Sequence, residues 1–260
     1  HITGQDCNTI AYPYCNVPSD GTALAQNYIG GRICDGQVMG KTPSDYFRIS
    51  AITTGSDANY TSTSDFTGSM QSAISKGGWV VFLTHGIQGE TNGNATYSPT
   101  PINAITGALD WAKQNDSKIW VTTFRNAILY AKERDALSLS ETTESSKLKL
   151  TASVNITSSV VDYTYPITVR RQMPNGWTNF AAATGGNDIE VSIITVGSTK
   201  YAQFNVVPGK TYYLENRESE YTANGGEEEE VTFEELISNG EFDEGTSGWQ
   251  TQTGGNAQLT

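Results

Sequence analysis

A single histidine lies inside the chain, directly after a short apolar run, and its side chain could act as an acid or a base. Residues 79–83 read WVVFL and are followed by Thr84, His85 and Gly86, and the other histidine is the first residue. Imidazole is the side chain whose ordinary pKa lies near neutral pH, so a histidine at a strand end can exchange protons with a ligand. A lone histidine after a strand is also a common structural residue, and its position alone leaves both interpretations open.

A second stretch that could contribute to a site is AYPY, residues 11–14. Its short apolar run ends in a proline and an aromatic residue, and Tyr12 and Tyr14 could line a pocket next to a strand end. Ordinary core packing is the alternative for both rings.

Three cysteines, Cys7, Cys15 and Cys34, lie within the first 34 residues, so at most one disulfide forms within the chain and one thiol remains. Their spacing does not match a zinc site. A serine hydrolase is excluded because the chain has no G-x-S-x-G elbow. A cysteine nucleophile would need His85 as its partner, and nothing in the sequence places a cysteine near His85.

The acidic charge of the chain is concentrated in one segment. The net charge is −12, and residues 215–244 carry twelve acidic residues and one arginine, so the rest is nearly neutral. Phosphate binding needs clustered lysine and arginine, which argues against nucleic acid and against an anionic membrane surface as partners. No apolar stretch has the length of a membrane span. The high content of Gly, Ser, Thr, Asn and Tyr is typical of an extracellular or cell-surface protein.

Residues 1–137 alternate short apolar runs with amphipathic segments, a pattern typical of parallel strands joined by crossover helices. Strands are predicted in TIAYPY, WVVFL and KIWVTTF, and helices in FTGSMQSAISK, TPINAITGALDWAKQN and RNAILYAKERDAL. Loops at the carboxyl ends of parallel strands usually carry function, and His85 lies in such a loop.

Residues 138–215 have a different pattern. Alternating and β-branched runs are separated by turn sequences such as PNGW, GGND and PGK, which predicts an immunoglobulin-like β-sandwich. Residues 216–235 are glutamate-rich and read as an acidic linker. Residues 236–260 begin a further unit.

Three segments, in order, resemble the polysaccharide deacetylases with a NodB-like domain, carbohydrate esterase family 4. They are TIAYPYC, FLTHGI and WVTTFRNAILYAKERDA, which together span most of residues 1–137. YPITVRRQMPNGW and FNVVPG are similar to the accessory sandwich of some secreted members, and LISNGEFDEGTSGWQ is similar to the first strand of a jelly-roll carbohydrate-binding module. The resemblance implies an α/β fold, the C-terminal part of a NodB-like (β/α) barrel, followed by an immunoglobulin-like sandwich.

The resemblance also implies roles for individual residues. His85 matches the family's acid, and the backbone N–H of Tyr14 matches a donor to the oxyanion. Tyr12, Pro13 and Leu83 match positions that line the substrate pocket. The family uses a divalent metal, zinc or cobalt, to polarise the acetyl carbonyl and activate water. The family's two metal-binding motifs have no counterpart here, so no metal ligand is assigned, and Ala11 stands where the family has arginine.

Two functions follow as expectations. The first is a secreted polysaccharide deacetylase that removes O- or N-acetyl groups from acetylxylan or an amino-sugar polymer. Without the metal-binding motifs, we expect this chain to be inactive in isolation. The second is a non-catalytic carbohydrate-binding or structural surface protein that can self-associate, with a degenerate deacetylase fold. In either case the partner is a polysaccharide, and Trp111, Trp177 and Trp249 could stack on sugar rings or pack in the core.

Overall fold

The structure is a computed structural model that describes residues 7–19, 21–89 and 97–217. Nearly all of the predicted linker at 216–235, and the whole predicted module at 236–260 with Trp249, lie outside the described residues.

The first half contains seven short strands: β1 Thr9–Ala11, β2 Gly30–Ile33, β3 Ile49–Ser50, β4 Ile52–Thr53, β5 Phe82–Leu83, β6 Ile87–Gln88 and β7 Thr100–Pro101. Strands β1, β2 and β3 form one parallel sheet, while β4 with β5 and β6 with β7 form two parallel pairs. Only Ala51 separates β3 from β4, and its N–H donates to the carbonyl of Ile33 at 3.0 Å. The segment from β3 to β4 therefore links the three-stranded sheet to β5.

Four α-helices accompany these strands: α1 Gly21–Asn27, α2 Thr63–Lys76, α3 Ile102–Gln114 and α4 Phe124–Ala136. The three predicted helices are confirmed as α2, α3 and α4. Helix α2 begins with a reciprocal cap, in which Ser62 Oγ accepts the N–H of Asp65 and the Asp65 carboxylate accepts the N–H of Ser62. It ends at Gly77, whose φ of 57° is a left-handed conformation that favours glycine.

The predicted (β/α) barrel is wrong, because the described residues are mostly β and close no barrel. The parallel strands have two to four residues each and form separate small ladders. WVVFL was expected to be one strand, but only its last two residues form β5. KIWVTTF was expected to be another, yet residues 118–123 contain no strand and α4 begins at Phe124. A closed barrel needs each strand paired on both edges, and these ladders leave edges without a neighbouring strand.

The second half consists of two antiparallel sheets. The strands are β8 Leu137–Glu144, β9 Lys147–Val154, β10 Ile167–Gln172, β11 Ala181–Thr184, β12 Asn187–Ile189, β13 Ser192–Val196, β14 Thr199–Val206 and β15 Thr211–Glu215. One sheet has the order β12-β11-β15-β9-β8 and the other β10-β14-β13. Side chains from both sheets share one core, including Leu150, Ile167, Phe204 and Leu214.

The strand order differs from that of an immunoglobulin domain, so the immunoglobulin-like topology predicted for this half is wrong, although its two antiparallel sheets do pack on one core. In that fold the last strand lies in the smaller sheet beside the strand that precedes it. Here the last strand, β15, lies inside the five-stranded sheet between β11 and β9. Strand β14 instead pairs with β13 through a tight hairpin at Gly197. Alternation along each strand predicts strands and turns, but it does not determine which strands pair.

Helix α4 connects the two halves. It runs directly into β8, and Tyr130 and Leu137 pack against the core of the two antiparallel sheets. The segment before β10 returns to the helix, where Val160 and Tyr163 pack on a buried cluster that includes Ile128. The two halves therefore share apolar contacts on both sides of α4.

Candidate functional site

His85 lies in the loop that follows β5, and its side chain is exposed. Its ring meets the ring of Tyr97 edge to face, with centroids 5.0 Å apart and planes at 87°. Tyr97 is itself 62% exposed. The interpretation of His85 as a buried core residue is therefore wrong, since both rings face solvent as a pair.

A buried cluster of hydroxyl groups lies beneath this loop. Thr54 Oγ1 lies 2.9 Å from Thr84 Oγ1 and 2.7 Å from Thr100 Oγ1, and it can also donate to the carbonyl of Leu83 at 3.2 Å. Thr54 and Thr100 are fully buried, whereas Thr84 is exposed. The cluster ties the end of β4 to the end of β5 and to β7, which fixes the base of the His85 loop.

A second set of hydrogen bonds positions Tyr97 through its neighbour Ser98. The hydroxyl of Ser98 donates to the carbonyl of Thr54 at 3.1 Å and accepts the N–H of Asp57 at 3.1 Å. Gly55 packs against the Ser98 backbone with a φ of 104°, and a Cβ at that position would overlap the Ser98 carbonyl. Close packing at Gly55 therefore holds the chain that presents Tyr97.

The other predicted site segment forms a tight turn after β1. The Cys15 N–H donates to the Tyr12 carbonyl at 3.0 Å, and the Asn16 N–H to the Pro13 carbonyl at 3.1 Å, so neither bond uses the Tyr14 N–H. Tyr14 has a left-handed φ of 53° and is 95% exposed. This conformation is uncommon for residues other than glycine, and its side chain points away from the protein.

The remaining predicted residues face different directions. The Tyr12 ring is buried, and its hydroxyl donates to the carbonyl of Phe47 at 3.0 Å. Burial also raises the pKa of this hydroxyl. Leu83 is buried, whereas Pro13 is exposed. Trp111 and Trp177 both pack against apolar clusters and are only partly exposed.

Tyr14 and His85 are not brought together. Strands β1 and β5 are separated by β2 and by the β3–β4 segment, which at ~4.8 Å per strand puts the strand ends from which the two loops start roughly 14 Å apart. One acetyl group cannot reach both. The structure brings together the rings of His85 and Tyr97, whereas Tyr14 is a separate exposed ring.

The described residues do not fit a divalent metal. In the part of the chain that the structure describes, no three histidine, cysteine, aspartate or glutamate side chains converge as metal ligands. His85 is the single histidine in that part. A catalytic metal site needs about three protein ligands, so no chemical step is assigned to a metal here.

Sequence reasoning located His85 but missed Tyr97, Ser98 and the buried hydroxyl of Thr100. Tyr97 follows a polar stretch rich in asparagine and glycine, ETNGNA, which reads as an ordinary loop. Neither the contact of Tyr97 with His85 nor the positive φ of Ser98, 49°, has a local sequence signal. The pair forms through contacts between distant parts of the chain.

The cysteines form one disulfide, between Cys15 and Cys34, and Cys7 is an exposed free thiol. This confirms the limit of one disulfide within the chain. A disulfide fits a protein of an oxidising compartment. Within the described ranges, no helix is long and apolar enough to cross a membrane.

Comparisons with known proteins give no relative from which a function could be transferred. No family model matches the chain, and neither the curated proteins nor the solved structures include a significant match.

Proposed function

We propose that this chain binds a polysaccharide through the exposed pair of His85 and Tyr97, here called the His85–Tyr97 surface. The observation that carries the proposal is the edge-to-face contact of two solvent-facing rings at 5.0 Å. Exposed aromatic rings have an apolar face that can cover the apolar face of a sugar, while their polar atoms stay available for hydrogen bonds. Such a pair, held apart from the core, favours a ligand over an internal packing role.

The groups around the pair suit a hydroxyl-rich ligand. Thr84, an exposed residue, directly precedes His85 in the chain, and its Oγ1 lies 2.9 Å from that of Thr54. The imidazole, the phenol of Tyr97 and this hydroxyl provide both donors and acceptors. Because the cluster beneath them is buried and hydrogen-bonded, the backbone that carries the pair is held in place, which lowers the cost of ordering it on binding.

The charge of the chain favours an uncharged or weakly charged polymer. Outside residues 215–244 the chain is nearly neutral, which gives no strong field toward an anionic ligand. Acetylated xylan and acetylated amino-sugar polymers both meet this requirement. An extracellular or cell-surface location, where such polymers occur, belongs to the same proposal.

Binding to acetylated xylan, measured by affinity electrophoresis and by titration calorimetry with xylan oligomers, tests the proposal. We expect Tyr97→Ala to weaken binding at least tenfold, and His85→Ala to weaken it less. Tyr213→Ala is the matched control, because Tyr213 is also partly exposed but lies on β15. Equal affinities for wild type, Tyr97→Ala and Tyr213→Ala would contradict a role of the pair, and the absence of wild-type binding to any acetylated polymer would overturn the proposal.

Deacetylation is the second candidate function. It is favoured by the position of His85 at the end of a parallel strand. The described residues supply no metal site, so any metal would need ligands from elsewhere.

Acetate release from acetylated xylan, with and without added zinc or cobalt, tests this second function. Metal-dependent release that is lost in His85→Ala would support the acid role of His85. Equal release by wild type and His85→Ala would exclude it. Failure to release acetate with any metal would leave binding as the function.

A further inference from the structure

A cleft of about 860 Å³ lies beside the His85 loop, and Thr84 lines it, whereas His85, Tyr97 and Tyr14 do not. Its walls come from α2 and α3, from residues 77–84, from residues 117–124 and from α4. The volume lies within the range of ~300–1,000 Å³ typical of small-molecule sites.

The walls of the cleft are mainly apolar. Phe66 and Met70 contribute from α2, Ile105 from α3, and Phe82 and Trp120 from the facing segments. At its border Leu109 and Val121 are each more than half exposed, at 54% and 58%. When an apolar ligand covers apolar side chains that are exposed to water around a cleft, the free energy of the complex is lowered.

The charged residues of the cleft all have the same sign. Lys41, Lys118 and Arg134 line it, and no carboxylate does so among the described residues, although the whole chain has a net charge of −12. Arg134 pairs with Asp135 at 2.7 Å, whereas Lys41 and Lys118 form no ion pair within the described ranges. The cleft is therefore complementary to one negative charge.

Both lysines lie at the same end of the cleft. Near the start of the two helices, Thr63 Oγ1 of α2 donates to the carbonyl of Asn103 in α3 at 3.3 Å, so α2 and α3 begin together. Their last turns then lie at the opposite end, and Lys118 follows α3 there. Lys41 lies at that end too, because Met39 exchanges backbone hydrogen bonds with Trp79, just after α2.

A buried donor is present at this end as well. Trp79 lines the cleft, and its indole Nε1 is buried without a hydrogen-bond acceptor among the described residues. An unpaired N–H of this kind favours a ligand that brings an oxygen acceptor to it.

We propose that this cleft binds an amphipathic carboxylate, an apolar chain with one anionic end. The chain lies between α2, α3 and β5, and the carboxylate lies at the end formed by Lys41, Lys118 and Trp79. This site does not depend on the His85–Tyr97 surface, so the two can be tested separately.

Dodecanoate is the probe, titrated against the full chain below its micellar concentration and followed by tryptophan fluorescence and calorimetry. We expect dodecanoate to bind at least tenfold more tightly than dodecyltrimethylammonium, which has the same tail and the opposite charge. Lys118→Glu should weaken dodecanoate binding at least tenfold. Lys200→Glu, an exposed lysine on β14, is the matched control and should leave it unchanged.

A second variant tests the location of the tail. Ala108 is buried in the wall of the cleft, and Ala108→Phe should abolish dodecanoate binding by filling the space. Circular dichroism establishes that this variant folds, while Lys118→Glu leaves the core untouched and tests the site even if Ala108→Phe does not fold. Equal affinity for the anion and the cation, or unchanged binding in Lys118→Glu, would overturn the proposal. Tyr97→Ala should bind dodecanoate like wild type, which separates this result from the polysaccharide test.

Discussion

Both carboxylate oxygens of Glu133 accept the backbone N–H of Tyr165, at 3.0 and 2.9 Å. Glu133 belongs to α4 and is fully buried, and Tyr165 lies in the segment that leads into β10. Burial raises the pKa of Glu133 to about 7, and the hydrogen bond from Tyr165 opposes this shift only partly. This contact holds the segment before β10 against the helix.

The stability of the protein should depend on pH through Glu133. Its pKa in the folded state, about 7, lies above the ordinary value of 4.5. The stability that Glu133 contributes to the folded protein is therefore fully present below pH 4.5 and is lost as the pH rises through 7. We expect the free energy of unfolding to fall by about 2–3 kcal/mol between pH 5 and 8. Urea unfolding followed by tryptophan fluorescence measures it, since Trp120 lies 6.3 Å from the Tyr165 ring.

Two variants isolate this effect. Glu133→Gln keeps an acceptor for the Tyr165 N–H but cannot ionise, so its stability should be nearly flat over the same pH range. Glu144→Gln, at an exposed ion pair with Lys149, should keep the wild-type slope. The pKa values of three other carboxyl groups are lowered, those of Asp65, Asp188 and Glu215. The stability that these groups contribute is therefore lost only below the range of pH 5 to 8. Wild-type stability that is constant or rises from pH 5 to 8 would refute the assignment.

The buried hydroxyl of Thr54 should stabilise the base of the His85 loop. Thr54→Val keeps the shape but leaves the buried hydroxyl of Thr100 without its 2.7 Å partner. We expect a loss of about 1–3 kcal/mol in the free energy of unfolding, as for other buried groups that lose a partner. Thr84→Val is the control, since Thr84 is exposed and its hydroxyl can bond to water. Equal losses in the two variants would argue against a special role of the buried hydroxyl.

The sequence predicts those parts of the fold that depend on local interactions. Helix α2 is one example, because its apolar spacing at Phe66, Met70 and Ala73 and its Ser62 cap all lie within sixteen residues of one another. The barrel prediction failed because pairing is not local. The apolar run at 118–123 has strand composition, but it has no neighbour to pair with among the described residues.

The same distinction holds for the candidate site. His85 could be predicted from the end of an apolar run, since a loop after a parallel strand is a common place for function. Its partner Tyr97 could not be predicted, because their contact depends on the packing of Ser98 against Thr54 and Gly55, which lie more than 40 residues earlier in the chain.

The disulfide should stabilise the turn that presents Tyr14. Cys15 and Cys34 lie 19 residues apart in sequence, and the bond joins this turn to the end of β2. Closing a loop of this length restricts the unfolded chain, which corresponds to about 3 kcal/mol of stability. Urea unfolding with and without a phosphine reductant measures it, in a Cys7→Ser background that prevents exchange with the free thiol. The double substitution Cys15→Ser, Cys34→Ser should match the reduced protein, and equal midpoints for the oxidised and reduced chains would show that the bond does not stabilise the fold.

Because Tyr14 lies about three strands from His85, loss of the bond should leave the affinity of the His85–Tyr97 surface for xylan oligomers unchanged wherever the protein remains folded.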